Sequence, residues 1–379
     1  MKNKKFYQAI AVMTGYIIGV GMFSLPFLFH KSGILVYFLF LLVLLPAQYV
    51  LHLIYANLII VTKNFHRLPG YTEIYLGKKG KGIVFFAKVF GNYGALIAYI
   101  IVTGIFLHEL LFPIFGGNEI IYGSIIFFIE ATIVYFGISI IARAELFITS
   151  LLLVIVLWIA IKGMPMIDIT NYSTIDWKYL LLPYGAMLFS MDGNGALPIV
   201  TKILKKDKVK IKNCIRASMV LATSITTIFT LVVLGVTGGA TTHDALTGLN
   251  NVMNGGVVAL ALVFGVFSLF TSFLGVAESI RETLWWDFKI NKNVSWAIAV
   301  FVPYGFYLLG VDDLIKVVSI VGAICGGLCG IVLLLIFEKL MKEGKLPMFK
   351  VLPSKIITRL LALMFVVGIL YEIFYFIVK

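Results

Sequence analysis

Charge is what this chain has least of. Only 13% of its 379 residues are charged and 61% are apolar, where soluble proteins run at about 25% charged and about 45 to 50% apolar. A water-soluble globule is excluded. Acids are scarcest, 18 against 31 lysines and arginines, for a formal balance of +13. Three cysteines are too few for a disulfide framework. Cys325 and Cys329 lie four apart on one helix face, where packing accounts for them better than a disulfide or a metal site. Cys214 falls on the side identified below as cytoplasmic and reducing.

Catalytic signatures are missing too. The run from Gly77 to Gly82 looks like a phosphate loop, but G-x-x-x-x-G-K-[ST] occurs nowhere. His30, His52, His66, His108 and His243 are scattered without zinc-binding spacing, and there is no G-x-S-x-G elbow. These absences exclude a built-in ATP-driven engine and argue against an enzyme. What is left is an all-α polytopic protein that moves or senses something inside its helix bundle.

The long apolar runs are abundant. Windows of about 19 residues give eleven spans at about 6-29, 33-61, 83-115, 119-141, 146-163, 179-200, 215-238, 254-284, 294-309, 313-337 and 357-377. The connections Lys63 to Lys81, Lys202 to Lys212, Thr241 to Asn250 and Lys339 to Arg359 hold the polar residues. None is long enough for an extra domain. No small-residue cleavage site follows the first stretch, so it reads as a retained span.

Alternating the connections between two sides places 26 of the 31 basic residues on one of them and leaves Lys31, Lys162, Lys178, Lys316 and Lys379 on the other. In this count Lys88 falls with the basic connection after the second span. The asymmetry sets the amino terminus in the cytoplasm and the carboxyl terminus outside a cytoplasmic (inner) membrane. The excess positive charge then contacts anionic lipid headgroups and gives no reason to invoke nucleic acid.

Two spans are interrupted. The first carries Gly15, Gly19, Gly21 and Pro26 in mid-membrane; glycine weakens a helix and lets other groups approach its backbone. The sixth carries Ser190, Asp192, Gly193, Asn194, Gly195 and Pro198. A carboxylate near the bilayer centre costs at least about 2.5 to 3.5 kcal/mol and calls for a cavity, a partner or a ligand. Eleven spans divide as five, five and one, with an odd number inverting the second half, so the breaks fall in corresponding places: a first repeat over 1-163, an inverted one over 179-338 and an extra helix over 356-379. Paired breaks of this kind point to a transporter's binding site. Free amides from Gly19 through Val20 and Gly21 to Met22 would attract a carboxylate, and carbonyls across the gap a cation. One broken site suits a zwitterion.

The string Gly15-x-x-x-Gly19-x-Gly21-Met-x-x-x-Pro26 resembles the first-helix signature of the amino acid/polyamine/organocation superfamily. Thr271-Ser-Phe-Leu-Gly-Val276 in the eighth span, with Asn194-Gly-Ala-Leu-Pro198, is similar to its aromatic and hydroxy amino acid permease branch (amino acid/auxin permeases). The resemblance implies a leucine-transporter-type 5+5 inverted-repeat fold with helices 1 and 6 broken, and secondary active amino acid uptake, usually proton-driven. The chain departs from the branch where Asn194 replaces a common histidine and Asp192 a small residue, which leaves a cationic or small polar substrate open.

In sodium-driven members of the fold, the corresponding oxygens would be those of Gly15, Ile18, Ser268, Thr271 and Ser272. For proton coupling the buried carboxyls are Asp192 and Glu130, and the fifth span has no lysine that would stand in for sodium. The substrate site is expected from Gly15, Ile18, Gly19, Val20, Gly21, Met22, Tyr99, Ser190, Asp192 and Asn194, with Tyr99 preferred over the shallower Tyr93. Lys5, Glu278 and Glu282 form the expected cytoplasmic gate, next to an interfacial Trp285-Trp286 pair. No cofactor is expected beyond sodium as a coupling ion, and the monomer is expected to suffice. The leading expectation is a cation-coupled amino acid symporter. The other is a non-transporting amino acid sensor of the spore-germination receptor type.

Overall fold

The computed structural model describes residues 2–63, 66–137, 141–173, 175–253, 256–344 and 353–378. Of the basic residues counted above, Lys345, Lys350 and Lys379 lie outside them, as do the side chains of Lys2 and Arg143.

The described chain is helical, with no strand. Helices α1 (Lys2–Ile17), α2 (Gly21–Ser32), α3 (Ile34–Val61), α4 (Leu68–Phe115), α5 (Glu119–Phe136) and α6 (Ile141–Gly163) come first. Short 3-10 turns lead to α7 (Tyr184–Ser190) and α8 (Leu197–Ile203). Then follow α9 (Lys208–Thr237), α10 (Leu246–Val252), α11 (Gly256–Glu282), α12 (Lys292–Leu308), α13 (Leu314–Ile320), α14 (Gly327–Lys342) and α15 (Lys355–Ile373). Among the described residues seven helices are long and apolar enough to cross a membrane, and α1 with α2, bent by 47°, makes an eighth. The other expected spans hold shorter pieces: part of α6, the pair α7 and α8, and the 17-residue α12.

The polar connections act as helix caps. Asn118 accepts the Ile121 amide at 3.0 Å, Asp207 that of Lys210 at 3.1 Å and Asp313 that of Lys316 at 3.0 Å, at the starts of α5, α9 and α13. Each satisfies a donor that the helix itself leaves unpaired. The outer surface is apolar: Leu42, Phe115, Phe136 and Leu309 are 74 to 82% exposed. Exposed apolar side chains on this scale belong against lipid. The chain is a multi-pass membrane protein.

Two expectations change in the third span. Its helix α4 begins at Leu68, inside the stretch read as a connection, and bends at Gly77, whose φ of 76° is open to glycine. The helix therefore runs through Lys88, counted above as a loop cation. It packs against α5, α11, α12 and the continuous stretch from α13 through a wider π-helical turn at Val321–Gly326 into α14. Small residues make the contact close. A Cβ on Gly94 would lie 2.1 Å from Val321, and one on Gly322 1.8 Å from the Gly185 carbonyl, so α4 and α7 both press on this stretch at backbone distance.

Candidate functional site

The first break is a change of hydrogen-bond partners. The ladder of α1 ends with the Ile18 amide donating to Thr14 O at 2.8 Å; the Gly19 amide then turns to Ile17 O at 2.9 Å. Across the gap Met22 donates to Gly19 O at 3.3 Å and Phe23 to Val20 O at 3.1 Å. Among the described residues the Val20 and Gly21 amides have no backbone acceptor, and the Gly15 and Ile18 carbonyls receive no backbone donor. Of the four expected amides, two are therefore available at the start of α2, where the helix dipole favours an anion. The Ile18, Val20 and Met22 side chains are buried and turned into the core.

Gly21 is a steric necessity here and Gly19 a tight fit. A Cβ on Gly19 would sit 3.3 Å from Tyr99 Oη, and one on Gly21 2.9 Å from Ser190 Cβ and from the Phe189 ring. Tyr99 of α4 and the end of α7 thus face the free amides. Tyr93 does not join them: its hydroxyl donates to Ile298 O at 3.1 Å.

The second break begins where α7 stops at Ser190, whose hydroxyl donates back to Met187 O at 2.9 Å. Asp192 Oδ1 accepts the Asn194 amide at 3.0 Å, and the Gly193 amide donates to His52 Nε2 at 2.9 Å. His52 therefore carries its proton on Nδ1, 3.2 Å from Met219 Sδ. Asn194 is buried, and among the described residues its Oδ1 has no donor. Gly195 lies under Tyr16, whose hydroxyl would be 2.1 Å from an added Cβ.

A partner for Asp192 comes from α4. Lys88 Nζ stands 3.6 Å from Asp192 Oδ2, and 20% and 30% of the two side chains stay open. Both face a cavity of about 60 Å³ between the two breaks, which Gly19, Gly21, Tyr99 and Ser190 also line. In such surroundings neither charge can be removed without stranding the other.

A second cavity of about 350 Å³ shares Tyr16, Tyr99 and Val276 with the first and takes in Gly15, Thr271 and Ser272. Thr271 donates to Ser268 O at 3.1 Å, which spends its proton and leaves the lone pairs of its oxygen unused. Neither Ile18 nor Ser268 is on the cavity wall, so the expected oxygen set is brought together in part.

The far end of this cavity is lined by charge. Arg67, just before α4, forms an ion pair with Glu282 through both Nε and a terminal nitrogen, and reaches Gly195 O at 3.4 Å. Glu278 pairs with Arg281 at 2.6 Å, and Arg281 also donates to Val134 O at 2.5 Å. Lys5 is exposed and has no ion pair among the described residues. The cation facing Glu282 is Arg67, which sequence reasoning left in a loop.

The sequence profile of the tryptophan/tyrosine permease family matches residues 2–374. The chain belongs to that family. Curated relatives of this family member are Glutamine transporter 2 of Aliivibrio fischeri, 22% identical over 338 residues (85% of this chain and 86% of the relative). Vacuolar amino acid transporter 2 of Saccharomyces cerevisiae is 27% identical over 192 residues, 47% of this chain and 38% of the relative. The fold is that of MhsT, crystallised in complex with L-phenylalanine: the TM-score is 0.71 at 15% identity, covering 96% of this chain and 97% of that one. The expected leucine-transporter-type architecture is thus observed in this permease.

Three residues of this family member were not legible in its sequence: Lys88, His52 and Arg67. Nothing in spacing pairs Lys88 with Asp192, 104 positions later. The one usable signal was that Lys88 follows Phe85, Phe86 and Ala87 and precedes Val89 and Phe90, an apolar setting unlike that of the other basic residues in its group.

Proposed function

We propose that this permease is a cation-coupled amino acid symporter that works by alternating access in the cytoplasmic membrane, amino terminus inside. The carrying observation is the meeting of two helix breaks, with amides at Val20 and Gly21 that have no backbone acceptor, near Tyr99. The substrate carboxylate is placed at those amides. The names of the relatives support an amino acid but differ over its side chain: glutamine for one, phenylalanine bound to the fold neighbour, tryptophan and tyrosine for the family.

For the coupling ion, oxygen donors from Gly15, Ile18, Thr271 and Ser272 form a hard set suited to sodium. A proton carried on Asp192 is disfavoured by the Lys88 pair, since protonation would leave a buried ammonium without its counter-charge.

Proteoliposomes holding the purified chain are expected to accumulate a labelled amino acid under an inward sodium gradient with no pH gradient. Uptake driven only by a pH gradient would move the coupling to a proton. Binding seen by thermal shift without flux under either gradient would replace transport by the sensing role.

A further inference from the structure

We infer that Lys88 and Asp192 form the side-chain subsite of the transporter and that they select a primary carboxamide, the end group of glutamine and asparagine. The inference rests on the transport reading above and adds the substrate class to it.

The cavity lies along one face of α4. Tyr99 and Lys88 both line it; on its other side Gly21 packs on Ser190, and Asp192 lies two residues, at most about 7 Å of chain, beyond. Tyr99 marks the end beside the free amides, because its hydroxyl lies against Gly19. A side chain leaving a head group held there runs along α4 toward Lys88 and Asp192.

The passage is narrow. Between those ends Gly91 packs on Cys325, with 3.0 Å from a Gly91 Cβ position to the Cys325 Cβ. The cavity is small, about 60 Å³.

Charge at the far end sets the chemistry. The Lys88 ammonium and Asp192 carboxylate sum to zero, so a cationic side chain meets Lys88 and an anionic one meets Asp192. At 3.6 Å the pair is longer than a hydrogen bond, so a group that accepts from one and donates to the other satisfies both. A carboxamide does this: its C=O accepts from Lys88 and an N–H donates to Asp192 Oδ2, since Oδ1 already accepts the Asn194 amide. Asn194 Oδ1, buried and lacking a donor, belongs to a residue lining the adjoining pocket with Lys88, Asn92 and Asp192, so an acceptor for the second N–H is near. An apolar ring would leave the pair desolvated and unsatisfied.

The test is competition against uptake in proteoliposomes, with unlabelled glutamine, asparagine, glutamate, lysine, serine, alanine, tryptophan and tyrosine. Glutamine or asparagine is expected to compete at least about tenfold better than glutamate, lysine or tryptophan, a difference of about 1.4 kcal/mol. In Lys88→Gln/Asp192→Asn, which removes both charges together, the ratio of glutamine to alanine kcat/KM is expected to fall at least about tenfold. Monodisperse elution in detergent checks its folding, and should it not fold the wild-type panel decides alone. Accumulation led by aromatic, charged or hydroxyl amino acids would overturn the carboxamide subsite and leave amino acid transport standing. An unchanged glutamine to alanine ratio in the folded double variant would do the same, and no accumulation of any amino acid would remove both.

Discussion

Glycines at residue scale carry two different loads. Gly77 bends α4 at φ 76° with open space around it, so Gly77→Ala is expected to cost about 1 to 3 kcal/mol through backbone strain alone, read as a lower melting temperature in detergent. Gly21 is different: its constraint is the 2.9 Å to Ser190 Cβ and Phe189. Gly21→Ala must push α2 from α7, and uptake is expected to fall at least about tenfold while the protein still elutes as a folded species. Near wild-type uptake would show that the breaks need not touch. Asp207 shows a third kind of residue effect. Bonding to the Lys210 amide holds its carboxyl below the usual range, so its stabilisation is present above the unfolded value near 3.9 and fades as pH falls through the folded one. Asp207→Ala is expected to cost about 1 kcal/mol and Asp207→Asn much less, because the cap matters more than the exposed ion pair with Lys210.

Among elements, the pairing of Arg67 with Glu282 ties the start of α4 to the end of α11, and the Arg67 contact to Gly195 O ties both to the second break. In the alternating-access reading this is the contact that opens and closes one end of the larger cavity. Breaking it is expected to speed thiol labelling of a cysteine placed at Ser279, inside that cavity, several-fold. Removing one partner leaves an uncompensated charge, so Arg67→Ala/Glu282→Ala is the variant to measure, and an unchanged labelling rate would count against a gate. At the eighth helix, Thr271→Val/Ser272→Ala removes two of the oxygens assigned to the coupling ion. Uptake is expected to lose its dependence on sodium in that variant, while retained dependence would exclude this ion site.

For the whole molecule, charge asymmetry predicts orientation and the membrane potential sets the scale of the work. A reagent that cannot cross the membrane is expected to label Glu119→Cys in intact cells, and Lys208→Cys only after permeabilisation. Both positions are exposed and the native cysteines are buried; the reverse pattern would invert the molecule. At 100 mV each coupled charge supplies about 2.3 kcal/mol, enough for roughly 40-fold accumulation at about 1.4 kcal/mol per tenfold.

The sequence by itself determined the membrane class, the placement of most spans and the two breaks, because apolar run length and glycine-proline disruption are local properties that neighbours do not rewrite. Gly19, Gly21, Tyr99 and Asp192 could be named for that reason. Tertiary structure alone decided how the charges are matched. A lysine has the same letter in a solvated loop as in a buried helix, and only the packing of α4 into the bundle brings Lys88 to Asp192. Arg67 and His52 follow the same rule. Each gains its role from a partner more than a hundred positions away, a relation that periodicity and spacing do not encode.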